Sequence, residues 1–120
     1  MRIHYVEIEN FKIFEKKIHI ELQHPTVLIG PNNSGKTSVI QALALWSRSI
    51  KIWYEKKRGS QEKNISGIGI NRLNILEVPV AATNFLWNGI RAFEGKANRK
   101  PMSVNVGIEH NGVIKNCKLI

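Results

Sequence analysis

The chain has 120 residues, with 18 Lys and Arg against 9 acidic residues and a net charge of +9. That length holds one domain or a piece of a larger one, and an apolar fraction of 42 % can form a modest core. No apolar run reaches the ~18 residues of a membrane span, the start Met-Arg-Ile-His-Tyr has no signal-peptide h-region, and the lone cysteine, Cys117, closes no internal disulfide.

These absences lead us to expect a cytoplasmic protein with no membrane partner. The positive balance suits polyanions such as nucleic acid, nucleotides or acidic lipid, and it equally suits a solvated cationic surface. Every acidic residue is Glu; the sequence contains no Asp.

In chain order, residues 2–9, RIHYVEIE, read as a strand with His4, Val6 and Ile8 on one face. NFKIFEKK follows as a short polar turn. KIHIEL alternates strictly, with Ile18, Ile20 and Leu22 on one side, so the two runs form a β-hairpin or meander. QHP interrupts it, because Pro25 cannot donate to a ladder. TVLI (26–29) is apolar on both faces, the pattern of a strand buried within a sheet, and Gly30 ends it. From Thr37 the period changes to about 3.6, through Val39, Ile40, Leu43, Trp46, Ile50 and Trp53, and predicts a helix over about 36–54.

EKKRGSQEK, NISGIGI and the basic EGKANRKP read as loops. Between them, LNILEVPV is a short strand stopped by Pro79, and AATNFLWN a short helix ended by Gly89. The last stretch, MSVNVGIEH-NG-VIKNCKLI, is a hairpin. Val104, Val106 and Ile108 alternate, and Asn111-Gly112 is the dipeptide of a type I′ turn. The fold class is α/β or α+β: a hairpin or meander, then strand–loop–helix, then an antiparallel hairpin. No repeat or internal boundary divides residues 1–120, so they form one domain. The end at Lys-Leu-Ile, inside a strand, suggests the N-terminal lobe of something longer, or a chain that leans on a partner.

The chemistry is concentrated in residues 30–37, Gly-Pro-Asn-Asn-Ser-Gly-Lys-Thr, which match G-x-x-x-x-G-K-[ST]. Glycine allows the backbone N–H groups to close around a polyphosphate. The helix that follows aims its unpaired N–H groups and positive dipole end at the anion. Lys36 supplies a mobile charge for the β and γ phosphates, and the Thr37 hydroxyl is a ligand for Mg²⁺. A buried strand before the loop and a helix after it are the context this motif requires. The alternative is a Gly-Lys-Thr turn that merely starts a helix.

The strand running into IENFKIF, then IHIEL, then LIGPNNSGKTSVIQALALW resembles the start of the ABC-type ATPase heads of the RecF/SMC group. The form GPNNSGKTS with QALALW is most similar to OLD-like and RecF-like ATPases of the AAA family in prokaryotes, many of which act in nucleic-acid maintenance or phage defence. The resemblance covers residues 2–54. It implies ATP and Mg²⁺ as ligands. Gly30 would shape the turn, and Asn32, Asn33, Ser34, Gly35, Lys36, Thr37 and Ser38 would line the phosphates and the metal. It also places at Lys12 a basic residue that reaches the nucleotide in such heads; a solvated turn lysine is the other reading. Phe11 and Phe14 read as core.

The resemblance further implies what the chain lacks. Such heads hydrolyse ATP with an apolar strand ending in Asp-Glu, and a chain without Asp cannot contain it. Glu77 in NILEVPV has no acid before it and Pro79 after it, and ISGIGI (65–70) only faintly echoes the signature motif that closes the site across a dimer. We therefore expect Mg-ATP binding without efficient turnover, no catalytic residue in the chain, and a need for another copy, a partner chain or a downstream lobe.

His4, His19, His24 and His110 have no metal-ligand spacing. Trp46 and Trp53 fall on the apolar stripe and read as core; Trp87 could stack on a base. YEKKRGSQEK (54–63) and KANRK (96–100) suit nucleic-acid phosphates or are simply solvated. The rival function is accordingly a small basic nucleic-acid-binding or interaction module with a relic phosphate loop.

Overall fold

Two alternating runs far apart in sequence meet at the centre of the fold. The computed structural model describes residues 2–31, 34–59, 86, 88 and 101–119, and the backbone of 93–94 and 98–99. Strand β1 (Arg2–Glu9) pairs with β2 (Ile18–Glu21) on one side and with β5 (Ser103–His110) on the other; β5 then pairs with β6 (Val113–Leu119). The order is β2-β1-β5-β6 and every pairing is antiparallel, so of the two classes the sequence allowed, α+β is the one found. Two-residue strands β3 (Phe93–Glu94) and β4 (Asn98–Arg99) pair across the stretch 94–101 expected to be a basic loop, β3 beginning one residue before it.

One face of the sheet carries Val6, Ile8, Val104 and Val106, all buried, flanked by Ile18, Ile20 and Leu22 as the alternation predicted. His4 does not share that face. The β1–β5 register slips between Ile3 and Tyr5, so His4 is the extra residue of a bulge and Ile3 takes the core side in its place. His4 is exposed, and its Nε2 lies 2.9 Å from Glu109 Oε2. At the β5–β6 turn, Asn111 and Gly112 have φ of 53° and 76°, the two positive values a type I′ turn demands.

Helix α1 (Lys36–Gly59) covers the apolar face. Its buried residues are Val39, Ala42, Leu45, Trp46 and Ser49, so the buried stripe is rotated from the expected one and Ile40 is 60 % exposed. Trp46 is core as expected, and its Nε1–H donates to the Cys117 carbonyl at 2.9 Å, tying α1 to β6. The Ser49 hydroxyl donates back to the Leu45 carbonyl at 2.6 Å, which satisfies a buried polar group within the helix. The helix also outruns its predicted end. Glu55, Lys56, Lys57 and Arg58 are good helix formers, and three cations in the last turn favour the negative end of the dipole.

The expected buried strand at 26–29 is not formed. Residues 22–31 have no regular structure, and Val27 and Ile29 are 75 % and 91 % exposed. An apolar run becomes a strand only when a ladder partner lies beside it, and among the described residues none does. The expectations for residues 60–85, for Glu77 and for Trp87 lie outside the described residues.

Candidate functional site

Residues 30–31 and 34–38 are the described part of the loop that opens α1. A Cβ on Gly30 would stand 2.7 Å from Ser34 Oγ, so the two ends of the loop lie close together. The Ser34 N–H donates to the Pro31 carbonyl at 3.2 Å, and the Val39 N–H to the Gly35 carbonyl at 2.9 Å, the first turn of the helix. Gly35 is buried with φ +97°, a conformation L side chains rarely adopt. The Lys36 Nζ reaches back across the loop and donates to the Gly30 carbonyl. An ammonium has three donors, so this bond leaves others for an anion. Thr37 is exposed at the start of the helix and Ser38 is half-buried. Asn32 and Asn33 lie outside the described residues.

The turn at 10–14 supports the loop from the side. Phe11 and Phe14 exchange backbone bonds of 2.9 and 2.8 Å, Asn10 and Lys12 take φ of 52° and 47°, and Phe11 is fully buried. The polar turn of the sequence reading therefore carries core. Asn10 is buried as well, and its Nδ2 donates to the Pro101 carbonyl at 2.9 Å. The Phe14 ring lies against Gly35: a Cβ there would meet Phe14 Cζ at 2.7 Å and Ile13 Cγ2 at 3.3 Å.

Lys12 is part of this turn and not a free surface lysine. Its N–H donates to the Leu86 carbonyl at 2.9 Å, and its own carbonyl accepts from Asn88 Nδ2 at 2.7 Å. Its Nζ donates to Gln41 Oε1 on α1, four residues beyond Thr37, and burial lowers its pKa. The structure thus brings Lys12 against the helix that Lys36 opens. Sequence reading missed Gln41 and the contact of Phe14 with Gly35. The i, i+4 spacing of Thr37 and Gln41 was the only signal for the first.

The far face of the sheet holds a separate polar network. Glu7 Oε2 accepts from Asn105 Nδ2 at 2.8 Å, and Glu7 Oε1 lies 3.1 Å from His19 Nδ1; Lys17 stands 3.3 Å away. The Asn105 bond, then His19 and Lys17, hold the Glu7 carboxyl at a pKa of about 2 against the opposing pull of desolvation. Among the described residues no group of three or more His, Cys, Asp or Glu could hold a metal ion.

The family model described as AAA ATPase domain matches residues 1–109. The chain belongs to the AAA ATPase domain family. The comparisons with curated proteins and with solved structures each gave no match. Family membership agrees with the resemblance read from residues 2–54 and brings nucleotide binding in general as the shared activity. Among the described residues, no helix of this AAA ATPase domain is long and apolar enough to cross a membrane.

Proposed function

We propose that the chain binds Mg-ATP through residues 30–38, as a nucleotide-binding lobe of a RecF/SMC/OLD-like ATPase that works with a further lobe, a second copy or a partner chain on DNA or RNA. The observation that carries the reading is the joining of a glycine loop to the N-terminus of α1, with Gly35 at φ +97°.

The residues fit the ligand. Gly35, at φ +97° and with Phe14 against it, has no room for a Cβ, which keeps the backbone close enough to cradle an anion. The first N–H groups of α1 have no acceptor within the helix and point where the phosphates would sit. Lys36 would exchange its bond to the Gly30 carbonyl for phosphate oxygens. Ser34, Asn32, Asn33 and Ser38 would complete the polar lining. The exposed Thr37 hydroxyl is free to take Mg²⁺, which when bound offsets phosphate charge. Lys12 would approach from the turn by leaving Gln41. Phosphoryl transfer also needs a positioned water and carboxylate support for the metal. A sequence without Asp does not supply the usual support, so binding without useful turnover is the expected behaviour.

The test is magnesium-dependent ATP binding by titration calorimetry, with Lys36→Ala beside the parent. A charge-assisted bond to phosphate contributes about 1.5–3 kcal/mol, so affinity should fall about 10- to 100-fold. Equal affinity in the two proteins would overturn the reading.

A further inference from the structure

The helix that begins at the phosphate loop ends in a surface that packing does not explain. Among the described residues, the last fully buried side chain of α1 is Ser49; Ile50, Ile52 and Trp53 are half-buried, and the helix continues to Gly59. That extension carries Lys51, Lys56, Lys57 and Arg58, all exposed, against one acid, Glu55. It also carries two aromatic residues. Lys57 Nζ lies 4.7 Å from the Trp53 ring centroid, and the Arg58 guanidinium 5.9 Å from that of Tyr54, which is itself 56 % exposed. A cation resting on a ring loses part of its rotamer freedom before any partner arrives, so less entropy is lost when it binds.

Helical periodicity places Lys51, Tyr54 and Arg58 on one stripe, at i, i+3 and i+7. From Lys51 to Arg58 the axis rises about 10 Å at 1.5 Å per residue. That matches about three phosphate-to-phosphate steps along one strand of duplex DNA, at about 3.4 Å each.

We propose that the C-terminal part of α1, through Lys51, Lys57 and Arg58 with Tyr54 beside them, is a contact surface for a nucleic-acid backbone. It rests on the functional reading above only for the choice of polymer, and it lies at the opposite end of α1 from the nucleotide loop. Along the helix axis Lys51 to Arg58 lie roughly 22–33 Å from Lys36, so they are separate surfaces on one helix. An acidic lipid surface fits less well. A helix lying in a membrane needs a continuous apolar face, and after Tyr54 the helix contains no apolar side chain. Binding here is expected to be independent of sequence, because phosphate contacts and aromatic faces do not distinguish bases.

The test is fluorescence anisotropy of a labelled oligo-dT against the full chain, across salt from about 50 to 200 mM. Replacing three phosphate contacts by Lys51→Gln, Lys57→Gln and Arg58→Gln together should flatten the slope of log K against log salt by about 2, at ~0.7 per contact on single strands. Lys115→Gln with Lys118→Gln, which removes charge from β6, should leave the slope nearly unchanged. The proposal is overturned if the β6 pair flattens the slope as much as the helix triple, since net charge alone would then be responsible. It is also overturned if the parent binds phosphatidylserine vesicles and no oligonucleotide. ATP titration of the same samples separates the two readings. A parent that binds ATP and no oligonucleotide refutes this proposal alone; one that binds oligonucleotide and no ATP refutes the nucleotide reading alone. The triple variant should keep the parent's ATP affinity and thermal melt.

Discussion

Gly35→Ala is the sharpest perturbation of the loop, because two separate costs can be worked out and then pulled apart. The first is conformational. At φ +97° an alanine is outside its allowed regions, which costs of order 1–3 kcal/mol. The second is steric. The new methyl would stand 2.7 Å from Phe14 Cζ, 3.0 Å from Phe14 Cε1 and 3.3 Å from Ile13 Cγ2. Phe14 packs against the core and is tied to Phe11 by two backbone bonds, so its ring cannot simply withdraw. Overpacking of this kind costs about 1–3 kcal/mol. Together the substitution should destabilise the chain by about 2–6 kcal/mol, a large share of the stability of a small domain. Urea unfolding of four proteins (parent, Gly35→Ala, Phe14→Leu and the double variant) tests this as a cycle. Leucine removes the ring atoms nearest the methyl, so Gly35→Ala should cost about 1–2 kcal/mol less in that background. Costs that add to within about 0.5 kcal/mol would refute the claim that Phe14 seats the loop.

Two further perturbations follow from the sheet. Glu7 titrates at about 2 in the folded chain against an ordinary 4.5, so its contribution is fully present above pH 4.5 and is lost as pH falls towards 2. At about 1.4 kcal/mol per unit, reduced for a side chain 19 % exposed, that is about 1–3 kcal/mol; Glu7→Gln should flatten the acid limb of a stability-versus-pH curve, and an unchanged limb would count against the network. Trp46→Phe keeps most of the apolar contact but leaves the Cys117 carbonyl without its Nε1 donor, so chemical denaturation should show a loss of about 1–2 kcal/mol; a loss below about 0.3 kcal/mol would mean that water replaces the bond.

What could be read beforehand was whatever depends on near neighbours. The alternation of Ile18, Ile20 and Leu22 and of Val104 and Val106 fixed which side chains face inward, and Asn111-Gly112 named its own turn because only positive φ closes it. Gly35 belongs to the same class, because its φ of +97° is a demand of its own backbone. Long-range facts were not legible. Nothing in RIHYVEIE says that its second neighbour is Ser103–His110, nor that a bulge at His4 will exchange Ile3 for His4 on the core face. The apolar TVLI announced a need for burial without naming a partner, and the described chain leaves Val27 and Ile29 exposed. On α1 the period was right and the phase was off. Ala42 is small enough to lie against the sheet, and this turns Ile40 outward.

The same contrast explains how the glycine loop keeps its shape. In the reading from sequence, a buried strand at 26–29 precedes the loop and ends at Gly30. In the structure that segment has no ladder, so the constraint must come from elsewhere. It comes from two directions. Downstream, Val39, Ala42, Leu45 and Trp46 bury one face of α1 against the sheet and set where the helix begins. From the side, the turn at 10–14 presses Phe14 onto Gly35 and joins Lys12 to Gln41. That turn is itself held by Asn10 on the Pro101 carbonyl, and by the bonds joining Lys12 to Leu86 and Asn88. Among the described bonds, the one side-chain bond that reaches Gly30 is the one from Lys36. Since Lys36 is also the residue that would turn to phosphate, anion binding would release that restraint. The backbone N–H groups around the ligand would then have to supply the order that the lysine gave up.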